Sequence, residues 1–199
     1  LTHQWFEQEP VAFAKLCGID VQIAPHDGRS STTYTFNADG KVDGAMMHLQ
    51  GRTESIQGML RHEVMHLVMA AQFKVPLPRW IDEGISMLQE SDGVPERFRK
   101  RIADARKNDT LFPLSELFAM KEYPKDANLM YAQACMIVDW LISRGGKRKL
   151  AACLQSAESD VMTNQLPAAI VAAYGFESLA DLEAQWLNSL QPTDETEDE

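Results

Sequence analysis

The segment that most constrains the fold of this chain is Arg61 to His66, which reads R-H-E-V-M-H. It lies within residues 53–73, where the sequence predicts a helix with apolar side chains on nearly every face. A helix of that kind is typical of a protein interior. His62 and His66 are four residues apart, so one turn of helix places both imidazoles on the same face. Buried polar groups need partners, and a shared metal ion would satisfy both histidines.

Two neutral imidazole nitrogens at this spacing can bind one zinc ion at about 2.0–2.1 Å. Glu63 lies on an adjoining face, where it can take a proton from a metal-activated water. Catalytic zinc usually takes three protein ligands, so a third must come from elsewhere. The best candidate is Glu83, in the sequence W-I-D-E-G on a second helix predicted from residue 78 or 79 to residue 90. A short link between two antiparallel helices would bring Glu83 beside His66.

The predicted strands come early in the chain and the predicted helices come late, which is the α+β pattern. Residues 32–36 and 41–50 form a predicted hairpin, and residues 19–23 alternate as a further strand. The predicted helices lie near residues 3–16, 53–73, 78–90, 95–108, 114–120, 126–144, 147–157, 161–174 and 178–190. We therefore predict a small N-terminal β-sheet lobe and a mainly α-helical C-terminal lobe, with the zinc site in the cleft between them.

Charge and hydropathy exclude some classes of partner. The net charge is −10, and half of it lies in residues 194–199. A nucleic-acid-binding surface needs clustered basic residues, so we expect no nucleic-acid partner. No apolar run is long enough to span a membrane. We expect one domain, residues 1–190, with a β-rich lobe (1–52) and a helical lobe (53–190), followed by an acidic disordered tail (191–199). The sequence does not indicate an oligomeric state.

The first residue bears on the cellular compartment, whereas the cysteines do not decide it. The chain begins at Leu1 without a methionine, as a processed product or an excised domain would, and we therefore expect an extracytoplasmic location. Cys17, Cys135 and Cys153 are odd in number and far apart, and no pair has metal-site spacing. We expect them to be buried, inert thiols.

The metal motif also carries a resemblance to a known family. His62-Glu63-x-x-His66, followed by Glu83 in W-x-x-E-G, resembles the gluzincin metallopeptidases of the peptidase MA-like group, which are related to thermolysin and aminopeptidase N. The resemblance covers roughly residues 41–190. Weaker similarity continues in the segments F-P-L-S-E-L (112–117), Y-A-Q-A (131–134) and Y-G-F-E-S-L (174–179), and in Leu182, Glu183 and Trp186.

This resemblance implies a zinc peptidase that acts on peptide or protein substrates. His62, His66 and Glu83 would bind one zinc ion per chain, and Glu63 would be the general base and then the proton donor. Tyr131 would donate a hydrogen bond to the oxyanion of the tetrahedral intermediate. Residues 44–47 would form an edge strand against which an extended substrate lies. Because no acidic pair suited to binding a substrate amine is evident, endopeptidase action is preferred.

The chain departs from the family pattern in the groups that would orient the histidines. Thermolysin-like relatives place a carboxylate four residues after the glutamate ligand, and here that position is Met87. Asp82, directly before Glu83, is expected to point away from the metal. The partners that metal-bound histidines need are therefore unassigned. Tyr123 and Tyr174 are interpreted as structural.

Several alternatives remain open at this point. The histidines could be a hydrogen-bonded core pair, Glu83 an acid placed at a helix N-terminus, and Glu63 an ion-pair partner of Arg61 or Arg79. A domain of the same fold could also retain zinc and bind peptides without cleaving them. A structural zinc site is a further alternative, and it would require a fourth protein ligand.

Overall fold

A three-stranded sheet forms the N-terminal part of the fold in the computed structural model, which describes residues 20–24, 30–50, 53–91, 93–156 and 165–191. Its strands are β1 (Asp20–Ala24), β2 (Ser31–Phe36) and β3 (Val42–Gln50). β1 runs parallel to β3 and β2 runs antiparallel to it, which gives the order β1-β3-β2. The helix predicted at 3–16, Cys17 and residues 192–199 of the predicted tail lie outside the described residues.

The predicted hairpin is confirmed, and its turn is held by one asparagine. Asn37 Oδ1 accepts hydrogen bonds from the backbone N–H groups of Asp39 and Lys41, and Gly40 adopts a φ of 70°, which favours glycine. The prediction that residues 44–47 form an edge strand is wrong. They lie in β3, which pairs with a strand on each side, whereas β2 lies at an edge of the sheet.

Seven helices follow in the described residues, and they confirm the predicted α+β class. They are α1 (Thr53–Phe73), α2 (Arg79–Met87), α3 (Glu96–Lys107), α4 (Leu114–Ala119), α5 (Ala127–Ser156), α6 (Gln165–Tyr174) and α7 (Leu179–Ser189). α2 ends before the predicted residue 90, because residues 88–91 form a turn. α5 covers both helices predicted between 126 and 157, and Gly146, at a φ of 77°, interrupts it.

Two hydrophobic clusters fix the positions of α1 and α2. In the smaller one, Met47 and Leu49 of β3 are fully buried against α1. In the larger one, α2 packs on the long helix α5, and the fully buried Trp80 stacks on Phe118 with their ring centres 4.0 Å apart. α1 is therefore held against the sheet on one side and against α2 on the other, so the histidines of α1 face α2.

Cys135 and Cys153 are buried free thiols, and burial raises the pKa of Cys135 to about 12. A thiol with so high a pKa is unreactive at neutral pH. None of the described helices is both long enough and apolar enough to cross a membrane.

Candidate functional site

Three side chains from α1 and α2 converge in the cleft between the sheet and the helices. His62 and His66 lie one turn apart on α1, and Glu83 faces them from α2. Nε2 of His62 lies 3.0 Å from Nε2 of His66 and 3.5 Å from Oε2 of Glu83. The distance from His66 Nε2 to that same oxygen is 3.9 Å. The three residues nominated from the sequence as metal ligands are therefore brought together as one group that could hold a metal ion.

The spacing and chemistry of these atoms fit a single metal ion. Ligand atoms bound tetrahedrally at about 2.0–2.2 Å lie about 3.3–3.6 Å from one another. Of the three distances, 3.0 Å is below that range, 3.5 Å is within it and 3.9 Å is above it. Two imidazole nitrogens and one carboxylate oxygen form a donor set that catalytic zinc sites use. Within the described residues the group has three members. A closed structural site would require a fourth.

A carboxylate lies within ion-pairing distance of the opposite nitrogen of each imidazole. Nδ1 of His66 lies 2.9 Å from Oδ2 of Asp82 and 3.3 Å from Oγ of Ser86. Nδ1 of His62 lies 3.1 Å from Oε1 of Glu90. A proton on each Nδ1 would leave Nε2 as the lone-pair donor, which is the tautomer that metal binding requires.

The expectation that Asp82 points away from the metal group is therefore wrong. Adjacent residues of α2 differ in direction by about 100°. The two nitrogens of an imidazole also lie on different sides of its ring, so Asp82 reaches Nδ1 of His66 while Glu83 faces Nε2. Because Asp82 directly precedes Glu83 on α2, its side chain reaches the outer nitrogen of His66 and does not face the metal position.

Glu90 is held at His62 by a close approach of two backbones. Gly58 lies one turn before His62 on α1, and a Cβ there would sit 2.8 Å from the carbonyl oxygen of Glu90. Arg97 forms an ion pair with the carboxylate of Glu90 at 3.2 Å. Sequence reasoning missed Glu90 because it lies in the turn after α2, seven residues from Glu83. The sequence feature that could have indicated this contact is Gly58, because an isolated glycine within a helix often marks a close approach of another backbone.

Glu63 lies next to the group and is bound to the edge strand. Its side chain is buried, and its Oε2 accepts a 2.7 Å hydrogen bond from Oγ1 of Thr32 in β2. Burial raises the pKa of Glu63, and the hydrogen bond from Thr32 opposes part of that effect. The alternative of an ion pair with Arg61 or Arg79 is wrong for the described residues. Arg61 is exposed, and Arg79 lies over the ring of Tyr123.

Comparison with known proteins adds a family to this geometry. A family model described as the peptidase MA superfamily matches residues 32–192. The chain belongs to the peptidase MA superfamily. The match begins in β2 and extends past α7, so it contains the converging group, Glu63 and the sheet edge. No curated protein and no solved structure matches the chain.

Two tyrosines line the cleft of this peptidase MA superfamily member. The hydroxyl of Tyr123 donates a 2.5 Å hydrogen bond to Oε1 of Glu83, the oxygen that does not face the histidines. The ring of Tyr131, on α5, lies 5.8 Å from that of Tyr123. Both tyrosines belong to the lining of the same cleft. Tyr123 therefore contacts the converging group directly, whereas Tyr174 stacks on Phe176 and is not part of the cleft lining.

The histidines and carboxylates of the converging group shift one another's pKa values. Burial alone would lower the pKa of His62, but the carboxylates of Glu83 and Glu90 outweigh it and raise that pKa to about 10. The same balance, with Asp82 as the partner, raises the pKa of His66. Burial would raise the pKa of Glu83, yet the two histidines lower it. The surrounding carboxylates therefore favour a positive charge at the centre of the group, and a bound metal cation can supply it.

The cleft around this group is large and runs along the edge of the sheet. Its volume is about 1320 Å³, and residues 30–34 and Phe36 line it from β2. Other parts of the lining come from residues 76–79 and from the segment 118–123. In the described part of the chain, β2 pairs with β3 alone, so its other edge is open to a further strand. Thr32 connects this edge directly to Glu63.

Proposed function

We propose that this protein is a zinc-dependent peptidase of the gluzincin type. In this proposal His62, His66 and Glu83 hold one zinc ion per chain. The observation that carries the proposal is the convergence of two Nε2 atoms and one carboxylate oxygen, together with a second carboxylate within 3.1 Å of the outer nitrogen of each imidazole. When bound, zinc would supply Lewis-acid chemistry, which polarises a carbonyl group and makes a water molecule more acidic.

Glu63 would act as the general base. Its carboxylate takes a proton from the attacking water and later gives that proton to the nitrogen of the leaving amine. Burial supports this role because a buried carboxylate binds a proton more readily than an exposed one. The hydrogen bond from Thr32 would fix the direction in which the carboxylate points.

The tyrosines would have separate roles. Tyr123 is bound to Glu83, so it would hold the third ligand in place. Tyr131 lies in the cleft lining beside it, and we assign it the hydrogen bond to the oxyanion. This division assigns metal affinity to Tyr123 and the rate of the chemical step to Tyr131.

The substrate would be a peptide that binds in an extended conformation along β2. The open edge of β2 can pair with a peptide backbone, as edge strands do in peptide recognition. The cleft, at about 1320 Å³, is larger than the roughly 300–1,000 Å³ that small-molecule sites occupy. Both features favour a polypeptide over a single amino acid, and endopeptidase action is preferred for that reason.

The test compares wild-type protein with Glu63→Gln, with Glu116→Gln as the matched control because Glu116 is an exposed acid outside the cleft lining. We expect all three proteins to bind one zinc ion per chain by elemental analysis. Cleavage of a diverse peptide library should fall by about 10²–10⁴-fold in Glu63→Gln alone. Full activity in that variant would exclude Glu63 as the base. Peptide binding without cleavage by the wild-type protein would instead favour the alternative of a silent binding module.

A further inference from the structure

The guanidinium of Arg79 lies in the cleft next to the proposed zinc group. Its Nε donates a 2.9 Å hydrogen bond to the carbonyl oxygen of Lys121, and its Cζ lies 4.0 Å from the centre of the Tyr123 ring. The hydroxyl of that same ring reaches Glu83. One tyrosine ring therefore separates this cation from the third member of the converging group.

The position of Arg79 is unusual because its natural intrahelical partner is engaged elsewhere. Arg79 and Glu83 are four residues apart on α2, a spacing at which opposite charges commonly pair. Here Tyr123 takes one oxygen of Glu83, and the other faces the histidines. Among the described residues, no carboxylate lies within 4.0 Å of Arg79, and the exposed Glu122 nearby does not pair with it.

The second arginine of the cleft provides a contrast. Arg97 is paired with Glu90 at 3.2 Å, so its charge is already offset within the protein. Arg79 is half-buried and is fixed by the Lys121 carbonyl and the Tyr123 ring, but its charge is offset by no described carboxylate. Lys121 adds a second cation to the same part of the lining. With Glu122 counted beside them, Arg79 and Lys121 still leave one net positive charge in this part of the lining, in a chain whose net charge is −10.

We propose that Arg79 binds a carboxylate of the substrate and thereby selects peptides that are acidic close to the scissile bond. This inference rests on the proposed function. A guanidinium presents parallel N–H donors that match a carboxylate, and a fixed guanidinium loses little freedom on binding. The carboxylate comes either from an Asp or Glu side chain or from the free C-terminus of the substrate. Consecutive residues of an extended peptide are about 3.3–3.6 Å apart, so a residue flanking the scissile bond would reach Arg79.

The test uses short synthetic peptides in matched sets, with cleavage followed by mass spectrometry on the zinc-loaded protein. In the first set, the two peptides of each pair differ only in having Glu or Gln at one position, and that position is moved along the peptide from pair to pair. All peptides of this set have an amidated C-terminus. In the second set, both peptides of a pair have only neutral side chains. One has a free C-terminus and the other has an amidated C-terminus. The quantity compared is the ratio of kcat/KM within a pair, because this ratio is independent of the fraction of protein that holds zinc.

We expect the acidic member of one pair to be preferred by about tenfold or more. The pair that shows the preference identifies the source of the carboxylate. In Arg79→Gln the ratio should fall to about one. In Arg79→Lys the preference should be partly retained, since lysine keeps the positive charge but lacks the parallel N–H donors of the guanidinium. Arg99→Gln, which changes an exposed arginine outside the cleft lining, should leave the ratio unchanged. A ratio near one in the wild type, or an unchanged ratio in Arg79→Gln, would overturn the inference.

Failure of the proposed function gives a different result. If no peptide is cleaved, the same pairs are tested for binding to the zinc-loaded protein by fluorescence anisotropy. A preference for the acidic member that disappears in Arg79→Gln would then support the role of Arg79 while removing the peptidase activity. Equal binding of both members, or no binding of either, would reject the carboxylate site as well.

Discussion

Replacing Gly84 by alanine should destabilise the protein and disturb the converging group together. A Cβ at this position would lie 2.6 Å from Cγ2 of Val138 and 2.7 Å from the carbonyl oxygen of Ala134 on α5. A valine methyl can rotate away, but a helix carbonyl cannot. To reach an ordinary contact of 3.4 Å, α2 must withdraw from α5 by about 0.7 Å. The neighbouring residue, Glu83, would move with it.

The expected loss of stability follows from two opposing effects. Overpacking a core contact costs about 1–3 kcal/mol, and the fixed carbonyl favours the upper end. Alanine regains about 1 kcal/mol over glycine in a helix. The net loss is then about 2 kcal/mol, which for a chain of this length lowers the Tm by about 4–8 °C. A displacement of about 0.7 Å also exceeds the ±0.2 Å tolerance of metal–ligand distances, so zinc should bind at least about tenfold more weakly.

Thermal unfolding of the metal-free protein, followed by circular dichroism, measures the first effect, and competition with a zinc-binding dye measures the second. Gly175→Ala is the matched control. Gly175 has a φ of 76° and open space around its Cβ position, so alanine there costs about 1–2 kcal/mol through backbone strain alone. We expect this control to lower the Tm while leaving zinc affinity unchanged. A Gly84→Ala protein that is as stable as the wild type and binds zinc equally well would show that α2 does not need this close contact with α5.

The remaining predictions concern the partners of the converging group. Glu90→Gln should weaken zinc binding by about 10–100-fold in the dye competition, whereas Glu96→Gln, an exposed acid at the start of α3, should have no effect. Tyr123→Phe should weaken zinc binding through the lost contact with Glu83, and Tyr131→Phe should lower kcat with zinc affinity intact. The reverse outcome for the two tyrosines would exchange their roles. Removing zinc with a chelator should lower the Tm. If zinc was present at 1,000 times its Kd, the free energy of unfolding should fall by about 4 kcal/mol.

Local patterns were enough to predict the elements of the fold. The hairpin follows from β-branched and aromatic residues on both sides of a turn that carries Asn37 and Gly40, and the described helices follow from apolar periodicity between glycines and prolines. The grouping of His62, His66 and Glu83 could also be predicted, because helical spacing fixes the first two and a short loop returns α2 beside α1. Each of these inferences needs information from only a short stretch of chain.

What could not be predicted depends on contacts between distant residues. The central position of β3 arises because β1 pairs in parallel with it, and no pattern within β3 indicates a second neighbour. Tyr123 reaches Glu83 from a loop 40 residues later. Glu90 reaches His62 because Gly58 lets two backbones approach, which is a property of the packed pair rather than of either segment.

These contacts show which carboxylates approach the histidines in a chain that has Met87 at the family's carboxylate position. The family position four residues after Glu83 carries no carboxylate here, and Met87 lines the cleft instead. We propose that the histidines are oriented instead by Glu90, in the turn beyond the end of α2, and by Asp82, one residue before Glu83. Both imidazoles therefore have an outer carboxylate, even though neither lies at the position that the resemblance implied.

We propose above all that His62, His66 and Glu83 bind one metal ion. The most direct test is an anomalous difference map, measured at the zinc absorption edge on a crystal grown or soaked with zinc. We expect one strong peak within about 2.0–2.2 Å of Nε2 of both histidines and of a carboxylate oxygen of Glu83, with no fourth protein ligand. No peak among these atoms, or a peak completed by a fourth protein side chain, would contradict it.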